Sequence, residues 1–142
     1  MEAEYEADGY VETFLGVGDA WSFVVPEVAG AHEGIAIRVI EKERISELCC
    51  TGLYYFRSRQ QFQKAYAQEL ASPSQPLKEH YIAPIYNQII QRGGSVKFRT
   101  IDIEDVIFCG VPDDYVALQH SPAPIRRLQP QTVRESNPSV RY

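Results

Sequence analysis

Cysteine is scarce. Three residues of this type in a chain of 142 are too few for a disulfide framework, and two of them, Cys49 and Cys50, are adjacent. None has the CxxC spacing used by zinc sites, and all lie on apolar runs where a thiol is buried and inert. That usage points to a reducing compartment, the cytoplasm. Histidine is equally scarce: there are three, with no pair at ligand spacing. His32, beside Glu33, therefore reads as a solvated loop residue. A basic excess is missing as well. The net charge of −5 leaves no positive face for nucleic acid. No apolar stretch is long enough to cross a membrane as a helix. Glu2, Glu4, Glu6 and Asp8 make an acidic start, the reverse of a signal peptide. There is no Ser/His/Asp spacing for nucleophilic catalysis and no internal repeat.

What is present is ordinary for a globular protein: 44% hydrophobic and 23% charged residues, with length for one domain and a sizeable core. Residues 1–9 read as a frayed or truncated start, residues 10–120 as the folded part, and residues 121–142 as a disordered tail. Pro122, Pro124, Pro130 and Pro138 punctuate that tail, and apolar residues are few.

Residues 10–15 read as a strand ending in Gly16-Val17-Gly18. This G-x-G is a plain turn, because Trp21 stands where a dinucleotide fingerprint needs its third glycine. Residues 21–25 alternate, with Trp21, Phe23 and Val25 on one face. Residues 35–40 alternate too, placing Ile35, Ile37 and Val39 together, so the two segments predict a hairpin across residues 26–34. Residues 49–56 follow as an aromatic-rich strand. Ser58 with Gln61 forms a capping-box pattern, and Phe62, Ala65, Tyr66 and Leu70 continue at helical spacing over residues 59–70. A loop at residues 72–76 breaks this helix. Ile82, Ile85, Tyr86, Ile89 and Ile90 then repeat as a second helix, beginning near Ala83 and stopped by Gly93-Gly94. Residues 95–101 predict a strand with Val96 and Phe98 inward. An acidic turn at residues 102–105, a short buried strand at residues 106–109 and a last helix opened by Pro112 complete the reading.

The stretch with chemical content is residues 40–56. A strand ends in Glu41-Lys42, a polar turn follows, and the next apolar run contains Thr51-Gly52. Carboxylate, ammonium and a glycine backbone together suit a polyhydroxylated anion: acceptors for hydroxyls, a cation for phosphate, and room for close approach.

In order along the chain, Trp21-Ser22-Phe23-Val24, Glu41-Lys42, Thr51-Gly52-Leu53-Tyr54-Tyr55-Phe56, Glu79-His80-Tyr81-Ile82-Ala83-Pro84-Ile85-Tyr86-Asn87 and Gly110-Val111-Pro112-Asp113-Asp114-Tyr115 resemble the C-terminal half of the sugar-1-phosphate nucleotidyltransferases. These enzymes are also called NDP-sugar pyrophosphorylases. The resemblance runs over residues 9–118. It implies an α/β fold, a partial Rossmann-like α/β/α sandwich whose mixed sheet lacks its N-terminal nucleotide-binding half. It also implies transfer of a nucleotidyl group to a sugar 1-phosphate with release of pyrophosphate and with magnesium. By the same resemblance Glu41 takes sugar hydroxyls, Lys42 meets the phosphate, and Gly52 lets the backbone approach the sugar. The glycine-rich nucleotide loop has no counterpart here, and Phe108 stands where many members carry a metal-binding aspartate. The expectation is therefore a sugar-recognition half that makes precursors for surface polysaccharide only with a chain supplying the nucleotide-binding half, or through self-association. It binds no magnesium alone and names no catalytic residue. The other open reading is a non-catalytic sugar-phosphate-binding or regulatory module of the same descent.

Overall fold

A computed structural model of the chain describes residues 6–120. It divides into two compact units, Met1–Val106 and Ile107–Tyr142.

The first unit holds five strands: β1 (Gly9–Leu15), β2 (Ser22–Pro26), β3 (Glu33–Glu41), β4 (Leu48–Phe56) and β5 (Val96–Thr100). Helices α1 (Arg59–Ala71) and α2 (Ile85–Gln91) lie between β4 and β5 in the chain. The predicted strands and helices over residues 10–101 are all present, within a residue or two at their ends. The sheet is mixed, as expected: β1 and β5 run parallel and the remaining pairings are antiparallel. Its closure was not expected. The order β1-β4-β2-β3-β5 returns to β1, so the strands form a small closed barrel instead of the open sheet of a Rossmann-like sandwich. Two irregularities allow five short strands to curl this far, since a bulge bends its strand and increases the local twist. The closing contacts are short: β2 meets β4 at Phe23 and Cys49, and β3 meets β5 over residues 33–35 and 97–99.

The first irregularity overturns the predicted inward face of β3. Val25 pairs with Arg38 and Pro26 with Ala36, so Ile37 is an extra residue on β3. Pro26, which has no N–H to give a ladder, sits at this bulge. The facing shifts in consequence: Ala36 and Val39 enter the core together, while Ile37 is 49% exposed. In β2 both Phe23 and Val24 are fully buried on opposite faces of the strand: Val24 belongs to the core cluster, and the Arg44 guanidinium lies 5.7 Å from the Phe23 ring centroid. Asn87 supports the stretch after the bulge. Its side chain accepts from Val39 N at 2.9 Å and donates to Val39 O at 2.7 Å, as a strand partner would.

Ser58 caps α1, accepting from Gln61 N at 3.1 Å. The helix buries less than its periodicity predicts. Ala65 is buried and Phe62 half-buried between Phe56 and Tyr66, whereas Tyr66 and Leu70 are exposed. α2 is more deeply set, with Ile85, Tyr86 and Ile89 in the core. Tyr86 lies parallel to Phe56, ring centroids 4.5 Å apart, and its hydroxyl is directed at the carbonyls of Tyr10 (3.1 Å) and Tyr55 (2.9 Å). Gly9 makes that packing possible, because a Cβ there would stand 2.6 Å from the Tyr86 ring.

The frayed start expected over residues 1–9 lies partly outside the described residues. Within them, Ala7 is buried and Asp8 joins three elements. Asp8 N donates to Ser95 O at 2.9 Å, Ser95 N donates to Asp8 Oδ2 at 2.9 Å, and Arg57 N donates to Asp8 O at 3.0 Å. The Ser95 N–H, followed by Gln61 and Arg57 against the opposing effect of burial, holds the Asp8 carboxyl below its usual range. A carboxyl with a lowered folded value adds stability above its ordinary pKa and loses it as pH falls through the folded one. Asp8→Asn should therefore cost about 1 kcal/mol at pH 7 in urea denaturation, given the partial exposure of the group. The difference from wild type should shrink below about pH 4, the ordinary carboxylate range.

After β5 a 3-10 turn, Ile103–Asp105, is capped by the Asp102 side chain, which accepts from Glu104 N at 3.1 Å. In the second unit, residues 107–109 are not the predicted buried strand. They form no ladder, and Cys109 is exposed, unlike the buried Cys49 and Cys50. α3 (Pro112–Gln119) starts as expected, with Pro112 at its N-terminus and Asp113 and Asp114 in the first turn. The tail expected at residues 121–142 lies outside the described residues.

Candidate functional site

β2 and β3 end in register, with Ser22 opposite Glu41. The Ser22 hydroxyl donates to Glu41 Oε2, and Tyr54 OH stands 3.2 Å from Ser22 Oγ. Since the serine proton is committed to the carboxylate, Tyr54 donates to Ser22. Glu41 itself is buried, 6% exposed. Cys50 also lies close to this carboxylate. Burial first, then the Glu41 charge, pushes the Cys50 thiol far above its ordinary value, and burial does the same to the Tyr54 phenol. Both stay protonated, so Glu41 has neutral neighbours that can only donate or pack.

The Glu41 backbone is clamped from outside the sheet. Gln75 Nε2 donates to Glu41 O at 2.7 Å, and Glu41 N donates to Gln75 Oε1 at 2.9 Å. Gln75 comes from the proline-flanked loop between the two helices, where no sequence signal marks it.

Lys42 follows with φ of +53°, the one described non-glycine residue in the left-handed region. Lys42 N still donates to Trp21 O at 2.8 Å, so the turn is fixed to β2. The side chain is exposed but held. Lys42 Nζ donates to Tyr81 OH at 2.6 Å. Tyr81 OH in turn donates to Glu79 Oε2 at 2.6 Å. The hydrogen bond to Tyr81, with the nearby Glu79 and Glu41 charges, raises the Lys42 pKa above its ordinary value. The ammonium is thus fully charged at neutral pH.

Gly52 occupies the second irregularity. Val11 pairs with Tyr54 and Thr13 with Cys50, so β4 carries two extra residues here. Thr51 Oγ1 donates to Glu12 Oε1 at 3.0 Å and accepts from Leu53 N at 3.3 Å, which pins the bulge. Gly52 has φ of +98°, with open space where a Cβ would point. A side chain here would be strained by the backbone and not by crowding.

The three predicted residues therefore sit at the end of β3 and in the bulge of β4, two strands with β2 between them. Glu41 and Lys42 have different surroundings: the carboxylate is buried with Ser22 and Tyr54, and the ammonium is exposed on Tyr81. Ser22, Tyr54, Gln75, Glu79 and Tyr81 complete the arrangement and were not singled out as site residues. Of these, Ser22, Tyr54, Glu79 and Tyr81 fall within the motifs quoted above. The Gly16-Val17-Gly18 segment is a plain turn, tied by Arg44 to the carbonyls of Gly18 (2.8 Å) and Gly16 (2.9 Å). His32 is exposed, as expected.

Among the described residues no three His, Cys, Asp or Glu side chains are placed to hold a metal ion. Phe108 has no donor atom to offer. No helix is long and apolar enough to cross a membrane among the described residues.

The fold and sequence are similar to those of a class of solved proteins, the nucleoside-diphosphate-sugar pyrophosphorylases. The particular likeness is to the crystal structure of the nucleoside-diphosphate-sugar pyrophosphorylase from Vibrio cholerae RC9, at 43% identity and a TM-score of 0.77. It covers 85% of this chain and 50% of that one, so the chain spans half the length of this solved relative. No family model matches the chain, and no curated protein does. The likeness supports the nucleotidyltransferase family indicated by the motifs.

Proposed function

We propose that this chain is the sugar-phosphate-recognising part of a sugar-1-phosphate nucleotidyltransferase, an enzyme making nucleotide sugars for surface polysaccharide. The observation that carries the reading is the 43% identity to a nucleoside-diphosphate-sugar pyrophosphorylase over 85% of the chain. The strand-end pair Glu41-Lys42 lies within that chain as a buried carboxylate beside a fully charged ammonium. In this reading Glu41 Oε1 accepts a sugar hydroxyl, with Ser22 and Tyr54 fixing the carboxylate from behind. Lys42 contacts the phosphate, and the Gly52 backbone borders the sugar ring. No residue of the chain is assigned a bond-making role. The reaction, attack of the sugar phosphate on the α-phosphorus of a nucleoside triphosphate, depends on positioning and charge neutralisation. The nucleotide side of that task falls to a part outside these 142 residues, in the same protein or in a partner.

The chain by itself should release no pyrophosphate above background when incubated with sugar 1-phosphates, nucleoside triphosphates and magnesium. A coupled phosphate assay checks this. Robust turnover would show that no further part is required. A non-catalytic sugar-phosphate-binding module is the second reading, favoured by the donor-free Phe108. It predicts the same lack of turnover even when a nucleotide-binding part from a complete relative is added.

A further inference from the structure

We propose that Tyr81 is a positioning residue for ligand binding, holding the Lys42 ammonium in place for an incoming phosphate through its hydroxyl. The proposal rests on the reading of Lys42 as the phosphate contact. Lysine is a flexible cation that loses rotamer freedom when it is fixed on a ligand. Here that ordering has already occurred. The ammonium donates one hydrogen to Tyr81 OH at 2.6 Å. Tyr81 can accept this bond because its own proton goes to Glu79 Oε2 at 2.6 Å. The chain Lys42–Tyr81–Glu79 has one sense only, from ammonium to carboxylate. It leaves two ammonium hydrogens for an anion.

The backbone adds to this. Lys42 keeps a left-handed conformation that a side chain rarely adopts, while its N–H remains tied to Trp21 O. Strain of this kind persists where the surroundings over-determine it. Backbone and side chain are fixed from two directions, by β2 and by the segment leading into α2. Preorganisation of this sort raises affinity by removing an ordering cost from the binding step. Phenylalanine at position 81 would keep the ring but lose the acceptor.

The test is a double-mutant cycle on the full chain, with Tyr81→Phe, Lys42→Ala and the pair, titrated calorimetrically with glucose 1-phosphate and with inorganic phosphate. Tyr66→Phe, on an exposed face of α1, controls for loss of a phenol. Tyr81→Phe should weaken binding about three- to tenfold in the wild-type background and leave it unchanged in the Lys42→Ala background. Side-chain NMR should show Lys42 titrating at lower pH in Tyr81→Phe than in wild type. Equal losses in both backgrounds would overturn the proposal, because Tyr81 would then act without Lys42. Wild-type affinity in Tyr81→Phe, or an unmoved Lys42 titration, would overturn it too. Absence of saturable binding by the wild type would overturn the phosphate reading itself and with it any ligand role for Tyr81. The lysine titration would still report whether the two side chains are coupled.

Discussion

Lys42→Ala should weaken sugar 1-phosphate binding by roughly ten- to a hundredfold without destabilising the fold. The magnitude follows from a charge-assisted contact, about 1.5–3 kcal/mol when the partner is an anion. Lys42 is charged at neutral pH and its ammonium is exposed, so truncation removes the contact and leaves no buried group unsatisfied. Stability should hold for a further reason. The residue has φ of +53°, which disfavours any side chain, so Lys42→Gly should match or exceed the wild-type melting temperature while losing the same affinity. That opposition, tighter fold with weaker binding, marks a residue retained for a ligand. Glu41→Gln differs. It keeps the side-chain shape but weakens the bond from Ser22, so it should change the ranking among sugars more than the affinity for phosphate. Calorimetric titration of the three variants with several sugar 1-phosphates, alongside thermal melts, decides the matter. Binding by Lys42→Ala equal to wild type would remove Lys42 from the phosphate contact.

The local parts of this site were legible in the sequence, and the long-range parts were not. Glu41-Lys42 at a strand end follows from the apolar run before it, and Gly52 from its position inside the next. A bulge leaves no local trace, however. Ile37 fits an alternating pattern perfectly and still points outward, because Pro26 on the neighbouring strand forces one extra residue into β3. Closure of the sheet depends on β5 returning to β1 across more than eighty residues, which no window of periodicity can reveal. Gln75 and Tyr81 reach residues more than thirty positions away, Glu41 and Lys42. Their roles come from where the loop between α1 and α2 is laid down, and that is set by Ser74 and Gln88 bonding Glu69. The strand expected at residues 106–109 is absent: Val106, Ile107 and Phe108 are apolar enough for one, but they join no ladder among the described residues.

The largest effect on stability should come from Tyr86→Ala. Tyr86 is fully buried, and its ring lies parallel to Phe56 at 4.5 Å. Removing a buried aromatic ring typically costs 3–5 kcal/mol, through lost burial and the cavity left behind. Against a total stability of roughly 5–15 kcal/mol, that is enough to leave a large fraction unfolded at body temperature. Tyr86→Phe isolates the hydroxyl. It should cost about 1 kcal/mol, since the phenol is directed at two strand carbonyls, Tyr10 O on β1 and Tyr55 O on β4. Gly9 supplies the internal check. Gly9→Ala puts a methyl 2.6 Å from the Tyr86 ring and should cost about 1–3 kcal/mol in the wild type by overpacking. In the Tyr86→Ala background the ring is gone and the same methyl has room. The penalty should vanish there, so the two substitutions should be non-additive by most of the Gly9→Ala cost. Urea denaturation of the two single variants and the pair measures this directly. Simple additivity would mean that the Tyr86 ring is not what limits the space at position 9.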